Sequence, residues 1–249
     1  MKSGQYARMR SIEDDFFWFV GLRELVGACL ERFCPEVPHA RILDAGCGTG
    51  ALTAALGAFG RVQGLDASEE AVRFCRERGL DEVSQQDLNE WMPRGDTFDA
   101  MTCMDVLYHE SIVRESVILQ KFHEALKPSG LLLLNVPAFE GLRRRHDKAV
   151  NTRRRYRKAG VLSLIRNARF EPLLATYRLP ILFPVLLMSK ACDFIRRGHD
   201  DREMRRLPAV LNRGLLFLHR RENQWILKGR PLPFGSSFFV AARKKGSGF

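Results

Sequence analysis

Residues 41–50 read Arg-Ile-Leu-Asp-Ala-Gly-Cys-Gly-Thr-Gly, and few folds accept such a run. A short apolar strand ends in Asp44. Three glycines follow at alternate positions, Gly46, Gly48 and Gly50, and then an apolar helix over 51–59. Glycine lets the main chain turn sharply and lets a ligand approach it with no Cβ in the way. The helix that follows offers unpaired N–H groups and the positive end of its dipole. Dinucleotide sites and plain core turns also use a glycine-rich strand-to-helix turn, so the run needs its context.

A second strand, 61–66, ends in Asp66. It lies about twenty residues on, the distance at which an acid meets a ribose hydroxyl in nucleotide-binding βαβ units. The acid on the first strand separates the ligands. Asp44 would repel a pyrophosphate and attract an ammonium or sulfonium. S-adenosylmethionine carries both cations and no phosphate.

With these residues in place, the chain resembles the class I S-adenosylmethionine-dependent methyltransferases, in a small-molecule branch with a "His-Asp … Arg-Arg-Tyr" segment. The matching pieces are 16–23 (Phe-Phe-Trp-Phe-Val-Gly-Leu-Arg), the glycine motif, 64–68, 105–109 (Asp-Val-Leu-Tyr-His), 126–130, His146-Asp147, Arg154-Arg155-Tyr156 and 232–235. The resemblance implies an α/β fold, a Rossmann-like doubly wound seven-stranded sheet. It also implies S-adenosyl-L-methionine as cofactor and S-adenosyl-L-homocysteine as product. Residue by residue it places Gly46, Gly48 and Gly50 at the methionine part, Asp44 near its amino end, and Asp66 with Ala67 at the ribose. Asp87 and Leu88 would meet the adenine, and Met104 the methionine amino group through its carbonyl. Asp87 reads equally as a turn or cap residue, and Met104 as core. Arg23 would pair with the cofactor carboxylate from a lid helix, or form a surface ion pair. Trp18 is a candidate for substrate contact or a core anchor.

For catalysis, His109 follows the fourth strand by five residues and titrates near neutrality, so it suits a general base. It reads equally as a positioning histidine, since many methyl transfers need alignment alone. His146 and Tyr156 are further candidates. The family's histidine before the Arg pair is replaced here by Thr152, which implies another group or a different acceptor, with His146 one candidate for the role. Arg154 and Arg155 are candidates for holding an anionic substrate group, as the planar guanidinium meets carboxylate or phosphate with two parallel hydrogen bonds.

The chain has 249 residues and a formal charge of +11, with 45% apolar residues, enough for one large α/β domain with a cap. Its six cysteines form no CxxC pair, so neither a disulfide framework nor a metal site is expected, and a reducing cytoplasm is. No apolar run is long enough to span a bilayer. The window 141–158 holds nine Arg or Lys and one acid, contributing +8 of the total. It reads either as a solvated face or as an anion site.

Strands are expected at 41–45, 61–66, 82–86, 98–104, 131–136, 170–177 and 236–243. Helices are expected at 12–33, from Ser68 to Arg78, and at 111–127 and 160–168. Arg169 stands where the family usually ends a helix with Gly. About 55 residues separate the last two strands, with helical patterns at 185–197 and 205–221. The expected organisation is a lid helix in 1–35, a cofactor-binding core in 36–178 and 234–249, and a helical substrate cap in 179–233 built with 138–158. The function expected is methyl transfer to a small-molecule acceptor, an oxygen of an anionic or natural-product substrate. No DNA module is visible and RNA is disfavoured for want of interleaved aromatics. Docking on an anionic membrane through 143–158 and 179–187 is the third reading, and oligomeric state is not legible.

Overall fold

Alternation along the strands sorts the core into two layers. In β5 (Leu126–Pro137), Leu131 and Leu133 face one side, while Leu132, Leu134 and Val136 face the other. In β7 (Ser237–Lys244), Phe239 and Ala241 oppose Phe238, Val240 and Ala242 in the same way. Such two-sided burial is the mark of a sheet covered on both faces. The computed structural model describes residues 4–95, 97–184, 188 and 206–246, with the side chains of 145 and 146 left aside. Apart from Met188, the expected helix 185–197 lies outside the described residues.

Seven strands form one sheet in the order β3-β2-β1-β4-β5-β7-β6. β1 (Ala40–Ala45), β2 (Gly60–Asp66), β3 (Val83–Gln85), β4 (Phe98–Met104) and β5 pair in parallel, while β7 runs antiparallel between β5 and β6 (Phe170–Arg178). The chain winds outward from β1 to β3 and returns to β4 on β1's other side. The crevice at the C-terminal ends of β1 and β4 is therefore the switch point at which such sheets bind ligands.

One face is covered by α2 (Phe17–Phe33) and α3 (Ala51–Leu56), the other by α5 (Glu115–Ala125) and α7 (Lys158–Asn167). α4 (Glu69–Glu77) packs Val72 and Cys75 against Cys47 and Val83. Ser68 caps α4 as expected, its hydroxyl accepting from the Ala71 amide. α6 (Arg145–Ala149) is a short helix in the basic loop. α8 (Ala209–Leu227) runs along α2, contributing Ile226 to the same core layer.

Several boundaries differ from expectation. The helix expected at 111–127 is α5, from Glu115 to Ala125, and the helix expected at 205–221 is α8. The strand expected at 131–136 already begins at Leu126 and takes in the expected stop at 128–130. The expected helix 12–33 is two helices, α1 (Gln5–Ile12) and α2, with Phe16 extended between them. Asp14 and Asp15 do not cap α2; Asp14 pairs with Arg10 and Arg78 instead. At the end of α7, Arg169 adopts the left-handed conformation itself, φ 62°, where glycine is the usual occupant.

Candidate functional site

The glycine turn is built by β2 as much as by its own residues. The amides of Gly46 and Cys47 both donate to the Leu65 carbonyl, at 2.7 and 2.9 Å. All three glycines have left-handed φ, 82°, 56° and 87°. A Cβ on Gly46 would lie 2.2 Å from Val106, and one on Gly50 would lie 2.7 Å from the tip of Leu80, so tight packing adds to the left-handed backbone in favouring glycine there. At Gly48 the nearest atom is the Met9 methyl at 2.8 Å, the far end of a flexible side chain.

Carboxylates gather at the open ends of the parallel strands. Asp44 ends its approach inside: its oxygens accept from Thr53 and Thr102 hydroxyls, both at 2.7 Å. Burial pushes its carboxyl up to about 6 against those hydrogen bonds. Asp66 accepts from the Gly48 and Ser68 amides, each at 2.9 Å, and burial raises it too. Asp105 follows β4 with φ 57°, accepts from Asn135 at 2.9 Å, and is pushed by burial up to about 6. Asp87, two residues past β3, accepts from the Asn89 amide and side chain at 2.8 and 2.7 Å, the turn-forming alternative of the two expected for it. Leu88 is buried in the core and Met104 packs at its edge; Ala67 is exposed, its carbonyl accepting from Gln85.

Over this crevice lies α1, and its contacts were not legible in the sequence. The Tyr6 hydroxyl donates to Asp66 at 3.3 Å. The α1–α2 corner is held by two arginines. Arg78 reaches Glu13 at 2.5 Å, Asp14 at 2.8 Å and the Thr49 carbonyl at 3.2 Å. Arg23 donates to the Glu13 and Asp14 carbonyls at 2.5 and 3.0 Å. Arg23 thus ties α2 to the corner, while Arg78 ties the corner to the turn at Thr49. Trp18 is half-buried in the first turn of α2.

On the β4–β5 side, His109 is half-buried and its pKa is lowered by burial. Its Nδ1 accepts from the Ser111 amide at 3.2 Å and lies 2.7 Å from the Ser111 hydroxyl. An amide can only donate, so the neutral ring carries its proton on Nε2. Tyr156 is buried with its hydroxyl against Glu115 at 2.9 Å and the Leu107 carbonyl at 3.1 Å. Arg154 pairs with Glu115 at 2.7 Å and lies over the Tyr156 ring at 4.7 Å. Arg155 grips Asp147 with Nε and Nη2, at 2.8 and 3.1 Å, and the Ala138 carbonyl at 3.0 Å. Arg143 pairs with Glu140, and Arg153 with Glu115. Much of the basic loop is thus an internal lattice of arginine and acid, with Arg155 a buried strut. The side chain of His146 lies outside the described residues. At the ends of β5, β6 and β7, Phe139 stacks on Tyr177 of β6 at 4.8 Å, and Phe183 joins Phe139 and Phe234 edge-on.

The donors and acceptors of the crevice suit S-adenosylmethionine. Asp44, Asp66 and Asp105 all have carboxyls raised by burial, a state that a cation relieves and a phosphate worsens. Among the described residues no cluster of ligands for a metal ion occurs.

Residues 42–130 match the family model described as "Methyltransferase domain". A ubiquinone biosynthesis O-methyltransferase of Xanthomonas campestris pv. campestris is 34% identical over 108 residues, covering 40% of this chain and 44% of that relative. The match thus spans less than half of that relative's length. In three dimensions the chain resembles the [4+2]-cyclase SpnF, with TM-score 0.59 and 22% identity over 92% of this chain and 83% of that one. It also resembles an S-adenosylmethionine-dependent methyltransferase from Mesorhizobium loti, with TM-score 0.56 and 19% identity over 88% and 97% of the two chains. The sheet order, the glycine turn with its paired acids and the matched segment agree: residues 42–130 carry a methyltransferase domain, set in a sheet of the class I S-adenosylmethionine-dependent methyltransferase fold.

Proposed function

We propose that the protein transfers a methyl group from S-adenosylmethionine to an oxygen of a small-molecule acceptor with an apolar, aromatic-compatible body. Fold alone does not carry this reading, because a [4+2]-cyclase shares the architecture. The observation that carries it is the pair of carboxylates set around the glycine turn, Asp44 buried on the Thr53 and Thr102 hydroxyls and Asp66 half-buried on the Gly48 and Ser68 amides, both raised by burial. Bound there, the cofactor supplies a methyl group on a cationic sulfur. The chain's own residues do the rest. Asp66 holds the ribose hydroxyls, the glycine turn admits the methionine backbone, and α1 covers the crevice against water.

The acceptor side is read from the Phe139–Tyr177–Phe183–Phe234 cluster, which brings both ends of the 179–233 segment against the loop after β5. This supports the cap built jointly with 138–158. The engagement of Arg154 and Arg155 with Glu115 and Asp147 favours an apolar acceptor over an anionic one. His109 takes the acceptor's proton at Nδ1 by way of the Ser111 hydroxyl, and burial keeps the ring neutral at neutral pH. The oxygen preference is supported by the name of the Xanthomonas relative.

The test pairs titration calorimetry with turnover. S-adenosylhomocysteine should bind, and Asp66→Ala should weaken it by on the order of 1–3 kcal/mol, as for lost charge-assisted hydrogen bonds. Phenolic acceptors should be methylated in preference to simple carboxylates or RNA. Binding of NAD in place of S-adenosylhomocysteine sinks the cofactor assignment, and preferred turnover of RNA sinks the acceptor.

A further inference from the structure

Among the described residues, α8 packs against the rest of the protein through one side. His219, Asn223 and Ile226 are buried against α2 and the sheet. The Asn212 side chain bridges the Phe17 amide and the Asp15 carbonyl, at 2.9 and 2.8 Å. The opposite side is apolar and exposed. Val210 and Phe217, one heptad apart, are 83% and 64% exposed, and Trp225 is 49% exposed. Leu211 and Leu218 lie beside them, also exposed. At 3.6 residues per turn these five side chains form one stripe.

The charges on this side have one sign. Arg221 and Lys228 are exposed and fall within the stripe by helical spacing, and exposed Arg213 flanks it. Arg230, just past the helix, lies over the Trp225 ring at 4.6 Å. The single acid of α8, Glu222, turns inward, where it accepts from the Leu179 amide at 2.9 Å. Arg220, at the stripe's border, pairs with Glu24 of α2 at 2.6 Å.

We propose that this outward face of α8 docks on the surface of an anionic phospholipid bilayer. A helix lying in the interfacial plane needs large apolar and aromatic groups to enter the acyl boundary, with cations beside them to meet lipid phosphates. α8 offers both and presents no acid to oppose them. A second copy of the chain is a poor occupant, because two cationic faces repel. The face lies on the far side of α8 from α2, so docking leaves the glycine turn uncovered. The surface does not depend on methyl transfer, and its test needs no acceptor.

The experiment is co-sedimentation of the full chain with vesicles of phosphatidylcholine alone or mixed with phosphatidylglycerol, at low and high salt. Binding to the mixed vesicles should be at least tenfold tighter than to phosphatidylcholine and should weaken with salt. Lipids brominated on their chains should quench tryptophan emission, and Trp225→Phe should keep binding while removing most of that quenching. Phe217→Glu should lower binding at least tenfold with S-adenosylhomocysteine affinity and melting temperature unchanged. Arg221→Glu with Lys228→Glu, both at exposed positions, should do the same without touching the apolar groups. Equal binding to both vesicle types, binding indifferent to both sets of variants, or quenching that persists in Trp225→Phe overturns the proposal. A concentration-dependent dimer that Phe217→Glu dissolves overturns it in favour of a second copy.

Discussion

Asp44 shows how a charge is kept ready in an apolar sheet. Its two threonine partners satisfy the carboxylate, yet burial still holds the carboxyl up to about 6. A bound sulfonium favours the ionised form and must displace whatever proton is present. Affinity for S-adenosylmethionine should therefore fall several-fold between pH 7 and 5.5, and fall less for S-adenosylhomocysteine, whose sulfur is neutral. Titration of both ligands across that range checks this; parallel curves would show that Asp44 does not sense the methyl-bearing sulfur. Tyr6 is the second residue with a consequence. Its hydroxyl occupies one oxygen of Asp66 that already receives the Ser68 amide, leaving fewer lone pairs for a ribose. Tyr6→Phe should tighten S-adenosylhomocysteine binding by up to about 1 kcal/mol, the usual net value of one hydrogen bond. Weaker binding would mean that Tyr6 itself holds the ligand. The glycines, Asp44 and Asp66 were legible because a turn of that shape admits few residue types. Tyr6, Met9 and Arg78 were not, since a tyrosine near the start of a chain and an arginine at a helix end have many ordinary uses. Arg155 marks the opposite case. Its motif was legible, but Asp147, the acid that engages it, stands eight residues away inside the same cationic run.

At the level of elements, strands β1 and β4 were readable because short apolar runs ending beside an acid suit parallel strands covered on both faces, and β2 because its Asp66 stands at the spacing expected after the glycine turn. The split between α1 and α2 was not. Both halves carry helix-forming residues, and the break depends on Arg10, Arg23 and Arg78 converging on the corner at 13–15. The role of α8 was equally hidden, because its partner is chosen by one glycine. A Cβ on Gly21 would lie 2.0 Å from the His219 ring, and His219 is held on its other side by Arg178 at 2.6 Å. Neither can retreat, so Gly21→Ala should destabilise the protein by about 3 kcal/mol, at the top of the range for overpacking. Thermal or urea unfolding measures it. A loss under about 0.5 kcal/mol, the level of an ordinary surface change, would mean that α8 is not seated on α2 as described.

Across the whole molecule, one buried polar chain ties the site to its outer layer. Asp105 accepts from Asn135, Asn135 accepts from Arg178 at 3.3 Å, and Arg178 donates to His219, whose other nitrogen bonds the Phe17 carbonyl at 3.2 Å. Burial and the Arg178 charge push His219 down to about 3. A histidine depressed in the folded state binds its proton first in the unfolded chain. Its contribution is present at neutral pH and is lost as pH falls from about 6.5 toward 3. Asp44 and Asp105, raised to about 6, act with the opposite sign over part of that window. The two therefore mask each other in the wild type. Denaturant unfolding of His219→Gln should show a shallower acid loss than wild type, by about 1 kcal/mol per pH unit below 6. Identical slopes would mean that the histidine is protonated in the fold.

The junction of β6 with β7 bears on how such a protein diversifies. Arg178 and Ser237 are direct cross-strand partners, the Ser236 amide donates to the Arg178 carbonyl at 2.8 Å, and a Cβ on Gly235 would strike that carbonyl at 2.0 Å. The long stretch between the strands leaves the sheet and rejoins it at one pinched point. Doubling the length of such a stretch costs only about 0.6 kcal/mol of closure entropy and shifts no strand by a single residue. Lineages are then free to lengthen, shorten or trade this segment while inheriting the cofactor crevice intact, and new acceptors become reachable without the sheet being reinvented.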